Sequence, residues 1–306
     1  MKEKTIILIA GPTASGKSQL ALRLARHFNS EVINADSMQI YREISVLTSK
    51  PNLKDRKKIK HHLYGISSVK KKFSTGKWLN LVIKKIESQW KSKKVPIVVG
   101  GTGLYFKALT DGLVKIPEIP NKIRNQTRNL QNKLGQKEFF NLLVKFDPLV
   151  KNFILSTDKQ RALRAYEVKK FTKKSLFELI KKTRSNFKSK TFKKLFINPP
   201  KEILHKKIEN RVEEMLNNGA IKEVEKFCEM NVRYELSANK IIGIKEIRDY
   251  LNNDLTLDQA KMLIIQKTRQ YAKRQFTWSR GNMNSWHKIY SSNINILYKK
   301  ALNKIS

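Results

Sequence analysis

Residues 11–18 read GPTASGKS. They follow the apolar run Thr5-Ile6-Ile7-Leu8-Ile9-Ala10 and precede Gln19-Leu20-Ala21-Leu22-Arg23-Leu24-Ala25. The pattern is G-x-x-x-x-G-K-S. Gly11 and Gly16 permit backbone angles that turn successive N–H groups inward. Gly11, Pro12, Thr13, Ala14, Ser15 and Gly16 therefore read as an anion nest at a helix N-terminus. Lys17 adds a mobile positive charge, and the Ser18 hydroxyl can hold Mg²⁺. The context this motif requires is present. The apolar run is a strand, and Leu20, Leu24 and Phe28 recur at i, i+4 and i+8 on one helix face.

Outward from the loop, strands and helices alternate. Glu31-Val32-Ile33-Asn34-Ala35 reads as a second strand and ends on Asp36. A helix over 76–90 carries Leu79, Val82, Ile83, Ile86 and Trp90 at helical spacing. Val95-Pro96-Ile97-Val98-Val99 reads as a third strand, followed by Gly100-Gly101-Thr102-Gly103. Strands separated by helices predict a parallel, doubly wound sheet. The expected fold class is α/β, a P-loop NTPase-like parallel sheet core with a helical insertion domain. From about Pro117 strand signals vanish and basic helical segments take over. The chain returns to a strand at Lys194-Leu195-Phe196-Ile197, stopped by Pro199-Pro200. A long helix follows, with Leu204, Ile208, Val212, Met215 and Leu216 on its buried face, and Asn217-Asn218-Gly219 ends it. Another helix is expected over 257–275. The implied organisation is 1–116 for the first part of the core, 117–190 for the insertion and 191–306 for the rest of the core. Ligands of such sheets sit beyond the carboxyl ends of the strands. GPTASGKS, DSMQ and GGTG each follow a strand, so they should converge on one cleft.

The chain has 306 residues, 40% of them hydrophobic, enough to bury a core. No apolar run approaches the roughly 20 residues that span a bilayer. The start, MKEKTIILIAGPTASGKS, runs straight into the loop without a small-residue cleavage site, so it reads as a strand and not a signal peptide. One cysteine, Cys228, excludes an intramolecular disulfide and fits a reducing, cytoplasmic location. With 64 Lys and Arg against 25 Asp and Glu, the net charge is +39. A field of that sign favours nucleic acid, anionic lipid or phosphorylated substrates. A lysine excess beside abundant Ile and Asn also fits A+T-rich coding DNA, so arginine positions carry more information.

Several residues could do chemistry. Asp36 ends a strand at the cleft edge. It could bind Mg²⁺ through water, act as a base, orient a nucleophilic amine, or cap a helix. The Thr102 hydroxyl could bond substrate or merely shape a turn. Arg211 lies beside a buried stripe and needs an anion, either a phosphate or Glu214 at i+3. In Gln160-Arg161-Ala162-Leu163-Arg164 two arginines share a helix face, which an external phosphate would relieve, although Glu167 could pair with Arg164. Residues 268–280, TRQYAKRQFTWSR, interleave basic and aromatic side chains and suit phosphates and stacked bases, or a solvated basic helix face. His61 and His62 have no acidic or Cys partners at metal spacing and read as structural.

In order, GPTASGKS, INADSMQIYR, Lys50-Pro51, His61-His62-Leu63, PIVVGGTGLYFKAL and TRQYAKRQFTWSRG resemble the bacterial tRNA dimethylallyltransferases, also called tRNA isopentenyltransferases. The resemblance runs from Lys4 to Trp286 and is weakest in the insertion. It implies transfer of a dimethylallyl group from dimethylallyl pyrophosphate to N6 of the adenine just 3′ of a tRNA anticodon. The loop would then hold the pyrophosphate of a prenyl donor, with Mg²⁺ on Ser18 and Lys17 facing the leaving group. By the same resemblance Asp36 bonds the adenine amine, Thr102 assists catalysis and Arg211 stands near the pyrophosphate. Contacts to the tRNA anticodon stem-loop fall to Asp36, Ser37, Met38, Gln39, Thr102 and Arg124. They fall also to Gln160, Arg161, Ala162, Leu163 and Arg164, and to Lys240, Ile241, Ile242, Gly243, Ile244 and Lys245. A monomer with no membrane association is expected. This chain departs from the family pattern at Ser18 for the commoner Thr, at 47–51 (LTSKP for GTAKP), and at Ile244, where the family often has Tyr. A kinase using ATP on the same loop, or an RNA-binding NTPase module, are the competing classes. No N-K-x-D guanine motif stands in a suitable place.

Overall fold

The computed structural model describes residues 4–305. β1 (Ile6–Ala10) is buried along its whole length, and α1 (Lys17–His27) leaves the loop behind it. β2 (Val32–Asn34), α2 (Leu53–Lys58), β3 (His61–His62), α3 (Thr75–Lys91), β4 (Ile97–Gly100) and α4 (Gly103–Thr110) follow. Next come α5 (Asn121–Phe146), α6 (Lys159–Thr172) and α7 (Leu176–Lys181). The chain closes with β5 (Phe192–Ile197), α8 (Lys201–Asn217), α9 (Ala220–Glu229), α10 (Ile244–Leu251), α11 (Leu257–Asn282), β6 (His287–Ile289) and α12 (Ile294–Ile305).

The six strands form one sheet in the order β3-β2-β4-β1-β5-β6, and every neighbouring pair is parallel. Two edge strands were absent from the sequence reading. β3 has only two residues, and β6 has three, both too short to show a period. The last helix was also missed, although Leu297, Ala301 and Ile305 recur at i, i+4 and i+8 and are all buried. They pack with Ile7 and Ile9 of β1 and with Leu20 and Leu24 of α1. By strand alternation Ile6 and Leu8 point to the opposite face, and they too are fully buried. A sheet covered on both faces explains why β1 is a continuous apolar run rather than an alternating one. Truncating a side chain such as Leu24 to Ala would cost about 2–5 kcal/mol.

The chain divides into two compact units. One comprises 1–110 and 186–306; the other is Asp111–Ser185. The second unit begins and ends a few residues before the expected 117–190. At the return end, Phe187 packs edge-on against Trp90 and against Phe192 at the start of β5, so the segment before the strand belongs to the sheet unit. The inserted unit has its own small core, in which Phe139 and Leu143 of α5 meet Ala162 and Ala165 of α6. Its 26-residue first helix breaks at Gly135, whose φ is +73°.

Candidate active site

The loop takes the conformation its glycines allow. Gly16 has φ +87° and caps α1, and Ala14 also adopts positive φ, at +59°. The Lys17 ammonium donates to the Pro12 carbonyl at 3.0 Å, folding the side chain back over the loop. Burial lowers the Lys17 pKa to about 8, against a favourable field from Asp36 and with an adverse one from Arg211. The Arg211 pKa is likewise lowered by burial, which the carboxylates of Asp36 and Glu214 oppose. Lys17, Asp36 and Arg211 therefore feel one another, although they come from α1, the end of β2 and α8.

Asp36 is held by its neighbours rather than by a helix. Its N–H donates to Asn34 Oδ1 at 2.8 Å, and its Oδ1 accepts from the Met38 N–H at 2.9 Å. The segment is a turn, so helix capping is excluded as the role of Asp36. Asn34 is fully buried and also donates to the carbonyls of Asp36 and Leu63, while its own carbonyl accepts from the Trp78 indole. Among the described residues Asp36 Oδ2 has no hydrogen-bond partner. A carboxylate with one oxygen spent on the backbone and one free can accept from a substrate N–H.

The Thr102 hydroxyl accepts from the Ser37 N–H at 2.9 Å and reaches Ser37 Oγ at 3.2 Å, and the Thr102 N–H donates to the Ala35 carbonyl. The GGTG turn and the DSMQ turn are thus latched together. The Gln39 amide donates to the Thr48 and Ser49 carbonyls at 2.8 and 3.2 Å. The 45–47 segment is fixed in turn by Glu223 of α9, whose carboxylate accepts from the Ser45, Val46 and Leu47 N–H groups.

Two adjoining cavities open here. The first, about 290 Å³, is lined by Thr13, Asp36, Arg211 and Lys240 among apolar walls that include Val212 and Ile264. The second, about 320 Å³, is lined by Gly11, Thr102, Leu104, Phe106, Phe196 and Trp278. Met38, Tyr271 and Arg274 border both. The Arg274 guanidinium lies 5.7 Å from the centre of the Tyr271 ring. Burial, with the nearby Asp36 carboxylate adding to it, raises the Tyr271 pKa, so this phenol stays protonated. Ser18 is exposed and borders a separate cavity of about 190 Å³ with Lys50, His61 and Tyr64.

The remaining sequence candidates are placed as follows. Among the described residues no carboxylate comes within ion-pairing distance of Arg211, so the expected helix-surface alternative with Glu214 is not formed. In the stretch 240–245, Ile241 and Ile244 are buried in the core, and Lys245 pairs with Asp249 at 2.6 Å. Ile244, which stands where the family often has Tyr, is buried, so its side chain is a packing group. Gly243 has φ +104° and its N–H donates to Glu246. Arg124, Gln160, Arg161, Ala162, Leu163 and Arg164 lie in the inserted unit. There Arg161 pairs with Asp158 and Arg164 with Glu167, both at 3.5 Å, and Ala162 is fully buried. His62 is paired with Glu31 at 2.5 Å, and Glu31 also pairs with Lys94, a structural cluster. Sequence reasoning missed Asn34, Glu223 and Gln275. Glu223 and Gln275 make contacts 174–262 residues distant in the chain, which no local pattern reveals.

A model of the IPP transferase family matches residues 39–282, most of the chain. The chain belongs to this family. It is 53% identical over 288 residues to a protein named tRNA dimethylallyltransferase from Pelagibacter ubique, covering 94% of this chain and 92% of that one. It is 42% identical to the protein of that name from Rickettsia conorii, covering 90% and 77%. Among solved structures, it resembles a tRNA isopentenylpyrophosphate transferase from Staphylococcus epidermidis with TM-score 0.70 at 29% identity, covering 98% of each chain. It also resembles a eukaryotic dimethylallyltransferase acting on tRNA with TM-score 0.83 at 28% identity, covering 99% of this chain and 77% of the other. Among the described residues of this family member, no helix is long and apolar enough to cross a membrane.

Proposed function

We propose that the chain transfers a dimethylallyl group from dimethylallyl pyrophosphate to N6 of the adenine 3′ of the anticodon in tRNA, releasing pyrophosphate. One observation carries this reading: an anion loop with Lys17, an unpaired Arg211 and a half-free Asp36 carboxylate interact electrostatically beside two adjoining cavities. The loop N–H groups, Lys17 and Arg211 bind the donor pyrophosphate. Cleavage of the allylic C–O bond places negative charge there, where these groups are already aimed. The adenine leaves its stack to enter the cleft, at a cost of a few kcal/mol. Asp36 Oδ2 accepts from N6–H, makes the nitrogen more electron-rich and directs its lone pair at the allylic carbon. The new C–N bond forms as the C–O bond breaks, and the amine proton then passes through Asp36 Oδ2 to the released pyrophosphate or to water. Allylic carbon tolerates cationic character, so leaving-group stabilisation outweighs base strength.

Mg²⁺ fits the donor set in one respect. Ser18 offers a hydroxyl oxygen at the start of α1, and among the described residues no cluster of three His, Cys or carboxylate groups offers a protein-made cage. Ser18 would hold the cation together with oxygens of the pyrophosphate and water, as small hard cations prefer. When bound, it would neutralise charge on the leaving group. The enzyme works as a cytoplasmic monomer in this reading, with the basic inserted unit and the face of α11 meeting tRNA phosphates.

The deciding experiment incubates the protein with tRNA, Mg²⁺ and dimethylallyl pyrophosphate and weighs the tRNA by mass spectrometry. A gain of one five-carbon prenyl unit on the adenine 3′ of the anticodon is expected. No gain, with phosphate transferred from radiolabelled ATP to an acceptor instead, would make it a kinase.

A further inference from the structure

Helix α11 also reaches the site through an uncharged side chain, Gln275, to which the motif TRQYAKRQFTWSRG assigned no role of its own. Gln275 Oε1 accepts from the Thr13 N–H at 2.9 Å, and its Nε2 donates to the Gly101 carbonyl at 2.9 Å. One partner is a donor and the other an acceptor, so only one orientation of the amide satisfies both. The two partners belong to the loops that close β1 and β4, the anion loop and the GGTG turn. A Cβ on Gly101 would stand 2.3 Å from Gln275 Nε2 and 3.5 Å from both Asp36 Oδ2 and the Gly11 carbonyl. The absent side chain at Gly101 is thus what admits the amide to this point, within a few ångströms of the carboxylate and of the loop.

We infer that Gln275 is a positioning residue for transfer: it fixes the separation between the anion loop, which holds the departing pyrophosphate, and the turn bearing Thr102, against which the acceptor amine is aimed. The inference rests on the prenyl-transfer reading above. The Thr13 N–H, one of the donors the sequence places in the nest, is taken by Gln275 in this structure, so Gln275 sets the loop through one of the loop's own N–H groups. Its neighbours Tyr271, Arg274 and Trp278 on α11 line the cavities, so the same helix that shapes them also holds the loop. A glutamine amide supplies the acceptor and the donor together at the length the two partners require. Glutamate keeps the acceptor for Thr13 but sets a carboxylate against the Gly101 carbonyl and near Asp36. Methionine keeps the volume and supplies neither bond.

The test compares Gln275→Met and Gln275→Glu with the parent protein in single-turnover prenyl transfer, in tRNA binding, and in thermal melting. Misplacing reacting groups by about 1 Å costs on the order of a hundredfold in rate. Gln275→Glu is expected to lose about that, and Gln275→Met about tenfold, with tRNA affinity in both kept within about twofold. The inference is overturned if Gln275→Glu transfers within threefold of the parent. It is equally overturned if rate, tRNA affinity and melting temperature decline in step, the signature of a packing role. Should the parent itself transfer nothing, the prenyl-transfer reading fails and this inference falls with it, a result distinct from loss confined to the variants.

Discussion

Lys17 and Arg211 in the sheet unit, and Arg161 and Arg164 in the inserted unit, are all cations that a polyanion could use, but the fold treats them in opposite ways. The first two are partly buried, carry lowered pKa values and feel the Asp36 carboxylate. The second two share one helix face, and each has an acid three residues away. A cation kept partly desolvated and without an ion-pair partner is costly to the free protein and is held ready for a specific charge. A cation paired on a surface costs little and contributes to a field. The two regions therefore divide the work between chemistry and attraction, and substitutions can show whether that division holds.

The largest effects belong to the cleft. Arg211→Ala should cut the transfer rate by about a hundredfold to a thousandfold, the range for losing one group aimed at developing charge. Arg211→Lys should recover only part of it, because an ammonium lacks the planar fork. Asp36→Ala should cost a comparable factor in rate while tRNA affinity changes little. A rate left intact by Asp36→Ala would remove the carboxylate from the mechanism. Either variant weakening tRNA binding as much as it slows transfer would erase the contrast between the two regions.

A smaller effect follows from Lys17. Its pKa in the folded free protein is about 8, below the ordinary lysine value of 10.5, chiefly through burial. The charged form is the one that binds pyrophosphate, and it is lost as pH rises through about 8. The donor's own phosphates, with second ionisation near pH 6, gain no charge there. kcat/KM for the donor should therefore fall by up to tenfold per pH unit above about 8, since this parameter reports the free enzyme. The stability effect has the opposite sign: the cost of burying charged Lys17 is present below about 8 and is relieved between about 8 and 10.5. A flat kcat/KM profile to pH 9.5 would show that Lys17 is not poised in this way.

These residues also show how far the sequence could be read. GPTASGKS with its flanking strand and helix specified β1, the loop and α1, because the motif is local and needs only its neighbours. Asp36 and Thr102 were legible because each closes a strand, and strand ends in a parallel sheet share one edge. The distinctions that decide roles were not legible. Asp36 as a turn residue rather than a helix cap depends on the following ten residues remaining irregular. Arg211 as an unpaired cation depends on Glu214 turning elsewhere, although i and i+3 could have met. Ile244 and Ile241 fell inside a stretch assigned to RNA, yet burial assigns their side chains to packing. Gln275 and Glu223 act at distances in sequence that only the fold closes. Glu223 makes this concrete: Glu223→Ala should leave three loop N–H groups without their acceptor and cost about 1–3 kcal/mol, read as a lowered denaturation midpoint, whereas Glu223→Gln should recover only part of the loss, because it keeps one acceptor oxygen and sets an NH2 donor against the remaining N–H.

The smallest effects should come from the inserted unit, and they test the comparison from its other side. A field built from many phosphate contacts loses little when one is removed, but its dependence on salt changes in countable steps. Arg161→Gln should weaken tRNA binding by a few-fold, lower the slope of log affinity against log salt by about one, and leave the transfer rate at saturating tRNA unchanged. Arg161 is the more informative position because its side chain is 69% exposed, against 40% for Arg164, and its pair with Asp158 is long at 3.5 Å. If that pair is all Arg161 does, the substitution shifts stability by at most about 1 kcal/mol and leaves the salt slope alone. A salt slope unmoved by Arg161→Gln and Arg164→Gln together would confine RNA attraction to other cations. A transfer rate that fell instead would mean the inserted unit helps to shape the cleft, and the division between chemistry and attraction would no longer describe the molecule.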